Sequence, residues 1–157
     1  MSPASNRRVV VTGLGIVSPV GLSIVEAWDN ITSGRSGIRP ITSFDVSDFS
    51  VRFGGTIERF DVSEYVAKKD ARKMDIFLHY GVAAGIQAFR DAGLVVSEQN
   101  AERIGVSIGS GIGGLLGIEK NYDAYKNGGP RKISPFFAPS SIINMISGNL
   151  SIMYGLK

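Results

Sequence analysis

The residue types able to do chemistry are few. The 157 residues contain no cysteine and one histidine, His79, which removes thiolate nucleophiles, disulfides, thiolate metal sites and any paired-histidine centre from these residues. Asp70, Asp75, Asp91 and Glu98 have no pairing that makes an acid/base dyad, and the serines have no histidine base at a recognisable spacing. His79 stands without a cysteine or second histidine nearby and reads as a packed or interfacial residue rather than a catalyst. Two constellations remain. Gly109-x-Gly111-x-x-Gly114 follows a strand-like run and opens a helical one, the local context of a phosphate-cradling dinucleotide loop. That use also needs a second parallel strand ending in an acidic residue about twenty positions on, where the sequence offers Asp123 in a polar helix. Such glycines also serve where a ligand or another backbone approaches closely. Ile112 among them then either lines or gates a pocket, or plugs the core beneath a tight turn.

The second constellation is basic. Lys68, Lys69, Arg72 and Lys73 cluster at the start of a long helical pattern, and Arg131 and Lys132 sit on a glycine-proline loop. Cations at a helix N-terminus oppose the helix dipole, so local stability does not explain them. They form either a solvated face or a surface for something acidic.

The elements that must position these residues follow from periodicity and punctuation. Residues 7–12 are short and β-branched and end at Gly13-Leu14-Gly15, which predicts a buried strand running into a turn. Residues 23–33 place Ile24, Trp28 and Ile31 at helical spacing before Gly34, a helix expected to pack its Trp28 face inward. Residues 35–64 read as an elaborate loop with short strand pieces, anchored by Phe44, Phe49, Phe53 and Phe60. Residues 70–92 carry Met74, Phe77, Leu78, Val82, Ile86 and Phe89 at three- and four-residue steps up to Gly93, a long helix. Within it Gly81 and Gly85 cost helix propensity and predict a close helix crossing. Residues 103–108 predict a second central strand, 115–125 a helix and 126–139 a second loop. A last helix capped by Ser140 or Ser141 runs through Ile142, Ile143, Met145, Ile146 and Leu150 to Gly155. Strands alternating with helices imply an α/β layered sheet. Two strands are few for so many apolar helices, and the alternation calls for another where the sequence stops, so the chain reads as interrupted.

Composition narrows the class. With 43% hydrophobic and 20% charged residues and a net charge of +3, the chain is one globular unit. At 16.8 kDa it can bury roughly 70% of its extended surface. A pI near 9.3 with so small a net charge is far from the dense basic stripe of a nucleic-acid binder and suits an acidic protein partner. The uncharged run 9–25 is broken by Gly13, Gly15, Pro19 and Gly21, unlike a signal peptide or a membrane span. A cytoplasmic location is expected.

Several strings now stand in order: Arg-Arg-Val-Val-Val-Thr-Gly-Leu-Gly at 7–15, Ser-Pro-Val-Gly at 18–21, Arg-Lys-Met-Asp at 72–75, Ile-Gly-Ser-Gly-Ile-Gly-Gly at 108–114, and Gly-Gly-Pro-Arg-Lys-Ile-Ser-Pro-Phe-Phe at 128–137. With Ser-Ile-Ile-Asn-Met at 141–145 and Ile-Met-Tyr-Gly-Leu at 152–156, the chain resembles the N-terminal part of the β-ketoacyl-[acyl-carrier-protein] synthases, type II more than type I. The resemblance covers nearly all 157 residues. It implies a thiolase-like α/β layered fold, of which 1–157 is the N-terminal portion of the first half with an incomplete sheet, and a homodimer. It also implies fatty-acid elongation by decarboxylative Claisen condensation of an acyl group with malonyl-acyl carrier protein, with a cysteine thiolate as acyl acceptor and two histidines and backbone amides stabilising the oxyanion. The nucleophile is not among these residues, and His79 does not replace the histidines. The 157 residues alone are therefore expected to be inactive. Residue by residue, the resemblance implies that Ile112 and Phe137 belong to the acyl pocket, and that Lys69, Arg72, Lys73, Arg131 and Lys132 dock acyl carrier protein, an acidic partner. No cofactor, metal, nucleic acid or membrane partner is implied.

Three readings result: a segment of an elongating synthase, a non-catalytic carrier-protein-binding or dimerisation module, and a nucleotide-binding domain resting on the glycine loop. Ending after the last helix is expected to expose the apolar face of Ile142, Ile143, Ile146 and Leu150, so that the isolated segment aggregates or depends on a partner.

Overall fold

The structure is a computed structural model that describes residues 8–157; Arg7, which opens the first expected strand, lies outside them. Helices dominate: α1 (Ile24–Thr32), α2 (Lys68–Ala71), α3 (Ile76–Asp91), α4 (Leu115–Gly128), α5 (Phe137–Ser141) and α6 (Met145–Tyr154). The ladder among the described residues is one antiparallel pair, β1 (Ile38–Pro40) with β2 (Phe53–Gly55), in register Ile38 to Gly55 and Pro40 to Phe53.

The core forms where α3 crosses α6. Leu78, Val82 and Ile86 from α3 and Ile146 and Leu150 from α6 bury against Val66 and Ala71. The crossing is close because of the two helical glycines. A Cβ at Gly81 would stand 2.6 Å from Cδ1 of Ile146, and one at Gly85 would collide with Leu150, so these side chains fill notches in α3. The expected close crossing is present. Phe89 stacks on Tyr154 at 4.0 Å and closes the far end of the same interface.

The helix stops expected at Gly34, Gly93 and Gly155 are present. The Ser23 hydroxyl accepts the Glu26 N–H and caps α1. Gly34, Gly93 and Gly155, after α1, α3 and α6, all have positive φ, the backbone that ends helices.

Other expectations are corrected. Residues 9–12 and 104–108 form no ladder. Val9 is 94% exposed, while Ile104, Val106 and Ile108 turn inward in alternation with exposed neighbours. Both runs keep the composition of strands, but backbone pairing needs an adjacent strand. They are instead tied to helices: Leu14 N–H donates to Asp91, Ile16 N–H to the Gln87 side chain, and Ile108 N–H to Ser147 Oγ. On α1 the inward residue is Ala27, and Trp28 is 67% exposed, so its apolar face is not the packed one. The long helix is two helices, since Asp75 starts α3 afresh four residues after α2 ends. The last helix is likewise split. Ser140 and Ser141 turn back to the Phe137 carbonyl, α6 starts after Asn144, and Ile146 and Leu150 are buried while Ile142 and Ile143 stay exposed. In the 35–64 loop Phe60 is anchored on Tyr65 and Tyr80, whereas Phe44 and Phe49 pair with each other at the surface.

Candidate functional site

The site is organised by one carboxylate. Asp75 lies in the extended region before α3, and its Oδ1 accepts the Phe77 N–H at 3.5 Å as the N-cap. Its Oδ2 accepts the Gly117 N–H at 2.6 Å. Gly117 lies in the first turn of α4, whose own N-cap residue, Gly114, offers no side-chain bond. Negative charge is favourable at helix N-termini, and here one carboxylate serves two of them. The position that a dinucleotide phosphate would take at the start of α4 holds Asp75 instead. The glycine loop rests on α5, with Gly114 N–H donating to the Ser141 carbonyl at 3.1 Å. Close approach of backbone and side chain accounts for Gly113, Gly114 and Gly117, while Gly109 and Gly111 have open space around them; with Asp75 at the start of α4, the loop has no place there for a dinucleotide phosphate.

This joint sets α4 beside the α2–α3 link and leaves a cleft of about 380 Å³ between them. Arg72 and Lys73 line it from the link, His79 from α3, Lys120 from α4, and Ser134 and Phe136 from the loop before α5. Ser134 is placed by Asn121, whose Oδ1 accepts its N–H at 2.7 Å while its Nδ2 donates to the Gly117 carbonyl. His79 Nε2 lies 2.9 Å from the Ala71 carbonyl, which can only accept, so the imidazole pins α2 to α3. That is the packing role expected of it.

Electrostatics leave the cleft positive. Lys73 pairs with Asp70 at 2.7 Å and holds the Asp70 carboxyl below its ordinary value. Arg72 and Lys120 have no ion-pair partner among the described residues. Lys73 also lies 5.7 Å from the centre of the Phe136 ring. On the other side of Lys73, Met74 and Phe136 is an apolar cavity of about 520 Å³, lined also by Tyr65, Leu78 and Met145.

Of the expected docking residues, Arg72 and Lys73 come together in the cleft. Lys69 is exposed on α2, and Arg131 and Lys132 are exposed on the single turn Pro130–Lys132, just before Ser134. Lys120 was not singled out in the sequence because only the packing of α4 brings it there. Ile112 is 69% exposed, so it is no plug beneath a turn, and it lines neither cavity. Phe137 is half-buried at the start of α5. The two sit on adjoining segments, since the loop after Ile112 packs on the end of α5. Among the described residues no group of three His, Asp or Glu side chains could hold a metal ion, and no helix is long and apolar enough to cross a membrane.

Comparison with known proteins gives a consistent result. The family described as β-ketoacyl synthase, N-terminal domain, matches residues 6–157. The chain is 59% identical over 153 residues to 3-oxoacyl-[acyl-carrier-protein] synthase 2 of Vibrio cholerae, covering 98% of this chain and 37% of that protein. It is 50% identical over 151 residues to the synthase 2 of Coxiella burnetii, covering 96% and 36%. Among solved structures it is similar to a type II PKS acyl-carrier protein in complex with its ketosynthase bound to the hexaketide, at TM-score 0.78 and 27% identity, over 96% of this chain and 40% of that one. A β-ketoacyl synthase from Burkholderia phymatum matches at TM-score 0.76 and 25% identity, over 96% of this chain and 38% of that one. These neighbours are thiolase-fold ketosynthases, so the α/β layered class expected from the sequence holds, with only a small part of its sheet formed here. The chain spans a little over a third of the length of the curated relatives it matches.

Proposed function

The chain belongs to the β-ketoacyl synthase family, within its N-terminal domain, and from that premise we propose that it works in fatty-acid chain elongation by decarboxylative condensation on acyl carrier protein. In that reaction an acyl group passes from a carrier thioester to a thiolate of the enzyme, releasing the carrier thiol. A malonyl-carrier protein then loses carbon dioxide, its carbanion attacks the enzyme thioester, the enzyme thiolate leaves, and a 3-oxoacyl-carrier protein two carbons longer is released. These residues hold no cysteine, so the thiolate is not theirs. Residues 1–157 take the part of the N-terminal portion of the synthase domain, and their share is recognition.

The observation that carries this reading is the positive cleft. Arg72, Lys73 and Lys120 converge on it, with Lys69, Arg131 and Lys132 exposed on the flanking α2 and Pro130–Lys132 segments. Such a surface suits an acidic protein and gives fast, salt-sensitive association. A neighbour solved with its acyl-carrier protein supports that choice of partner. Ile112 and Phe137 are proposed to bound the acyl chain. A homodimer and a cytoplasmic location belong to the same reading, and exposed Ile142 and Ile143 beside α5 are apolar surface that a second subunit would cover.

The test is titration of acyl carrier protein into the full-length protein carrying this sequence. Affinity falling steeply with salt is expected, and affinity indifferent to salt and to these basic residues would reject the reading.

A further inference from the structure

We propose that Asp75 is a positioning residue that couples the docking strip to the loop bearing Ile112, an inference that rests on the docking and pocket roles just assigned. Asp75 follows Arg72-Lys73-Met74 without interruption, so any shift of the strip on engaging a partner moves its backbone. Its side chain reaches across to the first turn of α4 through the 2.6 Å bond from Gly117 N–H. Ile112 lies three residues before α4 begins and five before Gly117, and between them Gly113 and Gly114 bridge to α5. Gly114 N–H is bonded to the Ser141 carbonyl, and a Cβ at Gly113 would stand 2.5 Å from the same oxygen. The loop is thus held between α5 on one side and Asp75 on the other.

The local sequence is shaped to admit the carboxylate. A Cβ at Gly117 would stand 2.9 Å from Asp75 Oδ2, and one at Gly114 3.3 Å away. The N-cap residue Gly114 has no side chain to bond α4, and Asp75 is the side chain that accepts an N–H of its first turn. Capping α3 alone would need one oxygen, and the other is committed to the second helix. A residue tied to both segments is placed to set the position of Ile112 in response to the strip, through a single polar joint.

The experiment uses the full-length protein and acyl-carrier proteins loaded with chains of graded length, reading kcat and KM separately for each. Asp75→Ala removes both bonds. Gly117→Ala spares the α3 cap but displaces the carboxylate from α4, so it isolates the joint even where Asp75→Ala folds poorly. Both should change the ratio of long-chain to short-chain kcat/KM by about 2- to 30-fold, the range for residues that carry coupling. Asp75→Asn, which leaves one acceptor oxygen for two N–H donors, should change the ratio in the same direction as Asp75→Ala but by less. Unchanged length profiles in Asp75→Ala and Gly117→Ala, with Ile112→Phe still shortening the accepted chains, would overturn the coupling alone. A change in Asp75→Ala that Gly117→Ala does not reproduce would leave Asp75 only its α3 cap and also overturn it. If Ile112→Phe has no effect on length, the pocket reading itself fails and the coupling with it.

Discussion

Ile146 occupies the notch that Gly81 leaves in α3, so closely that a Cβ on the glycine would stand 2.6 Å from its Cδ1. Leu150 sits likewise at Gly85, one turn on, and is 1% exposed. This contact anchors α6 to α3, the helix that Asp75 caps.

The sign of one substitution tests it. At a solvent-facing helix position Gly→Ala stabilises by up to about 1 kcal/mol through propensity. At Gly81 or Gly85 the added methyl meets a packed side chain, and overpacking of this kind costs about 1–3 kcal/mol. Denaturant unfolding of the full-length Gly81→Ala variant should show a lower midpoint. A raised midpoint would mean that the helices do not cross here.

Much of this was legible in the sequence, for a physical reason. Helix ends are decided within a few residues, so Ser23, Gly34, Gly93 and Gly155 could be read directly, and Gly81 with Gly85 announced a crossing because nothing local explained them. The strands at 7–12 and 103–108 could not be settled locally, since a ladder is made by a neighbour. The break at Asp75 was readable in principle, an aspartate just before Ile76-Phe77-Leu78, but the continuous apolar spacing masked it. Lys120 and the second bond of Asp75 depend on how α4 packs, which no local pattern encodes. Trp28 was expected inward because its apolar spacing is correct, yet among the described residues α1 buries its Ala27 side.

Charge reversal tests the docking surface. Arg72→Glu with Lys73→Glu in the full-length protein should weaken acyl-carrier-protein binding at low salt by about tenfold or more, since unlike pairs become like ones. The melting temperature should move little, because Arg72 is exposed and the Lys73–Asp70 pair is surface-accessible. Lys120→Glu alone should act in the same direction. Calorimetric titration showing unchanged affinity would reject the surface.

Ile112→Phe tests the pocket. The larger ring adds bulk at a site proposed to bound the acyl chain, so the longest chain accepted should shorten while short chains are used as before. Product analysis with chains of graded length reads this directly, and an unchanged profile would reject the assignment. Being 69% exposed here, Ile112 should tolerate the change without loss of fold.

Tyr80 offers a check on the packing of the 35–64 loop. Burial, with the Phe60 ring edge-on at 5.1 Å, pushes its phenol above the ordinary value. Its contribution to stability is complete below the ordinary phenol range and is lost as pH rises through the unfolded value towards the raised folded one. An absorbance titration should contain a late-ionising component that Tyr80→Phe removes. Wild-type and variant curves differing only within the ordinary range would show Tyr80 to be solvated.

Lengthening of acyl chains on a carrier protein is the activity proposed for the full-length protein. The most direct measurement is mass spectrometry of acyl-carrier protein after incubation of the full-length protein with acyl- and malonyl-carrier protein. The expected product is 3-oxoacyl-carrier protein, two carbons longer, formed with release of carbon dioxide. Full-length protein that binds the carrier tightly yet leaves both substrates unchanged would contradict it.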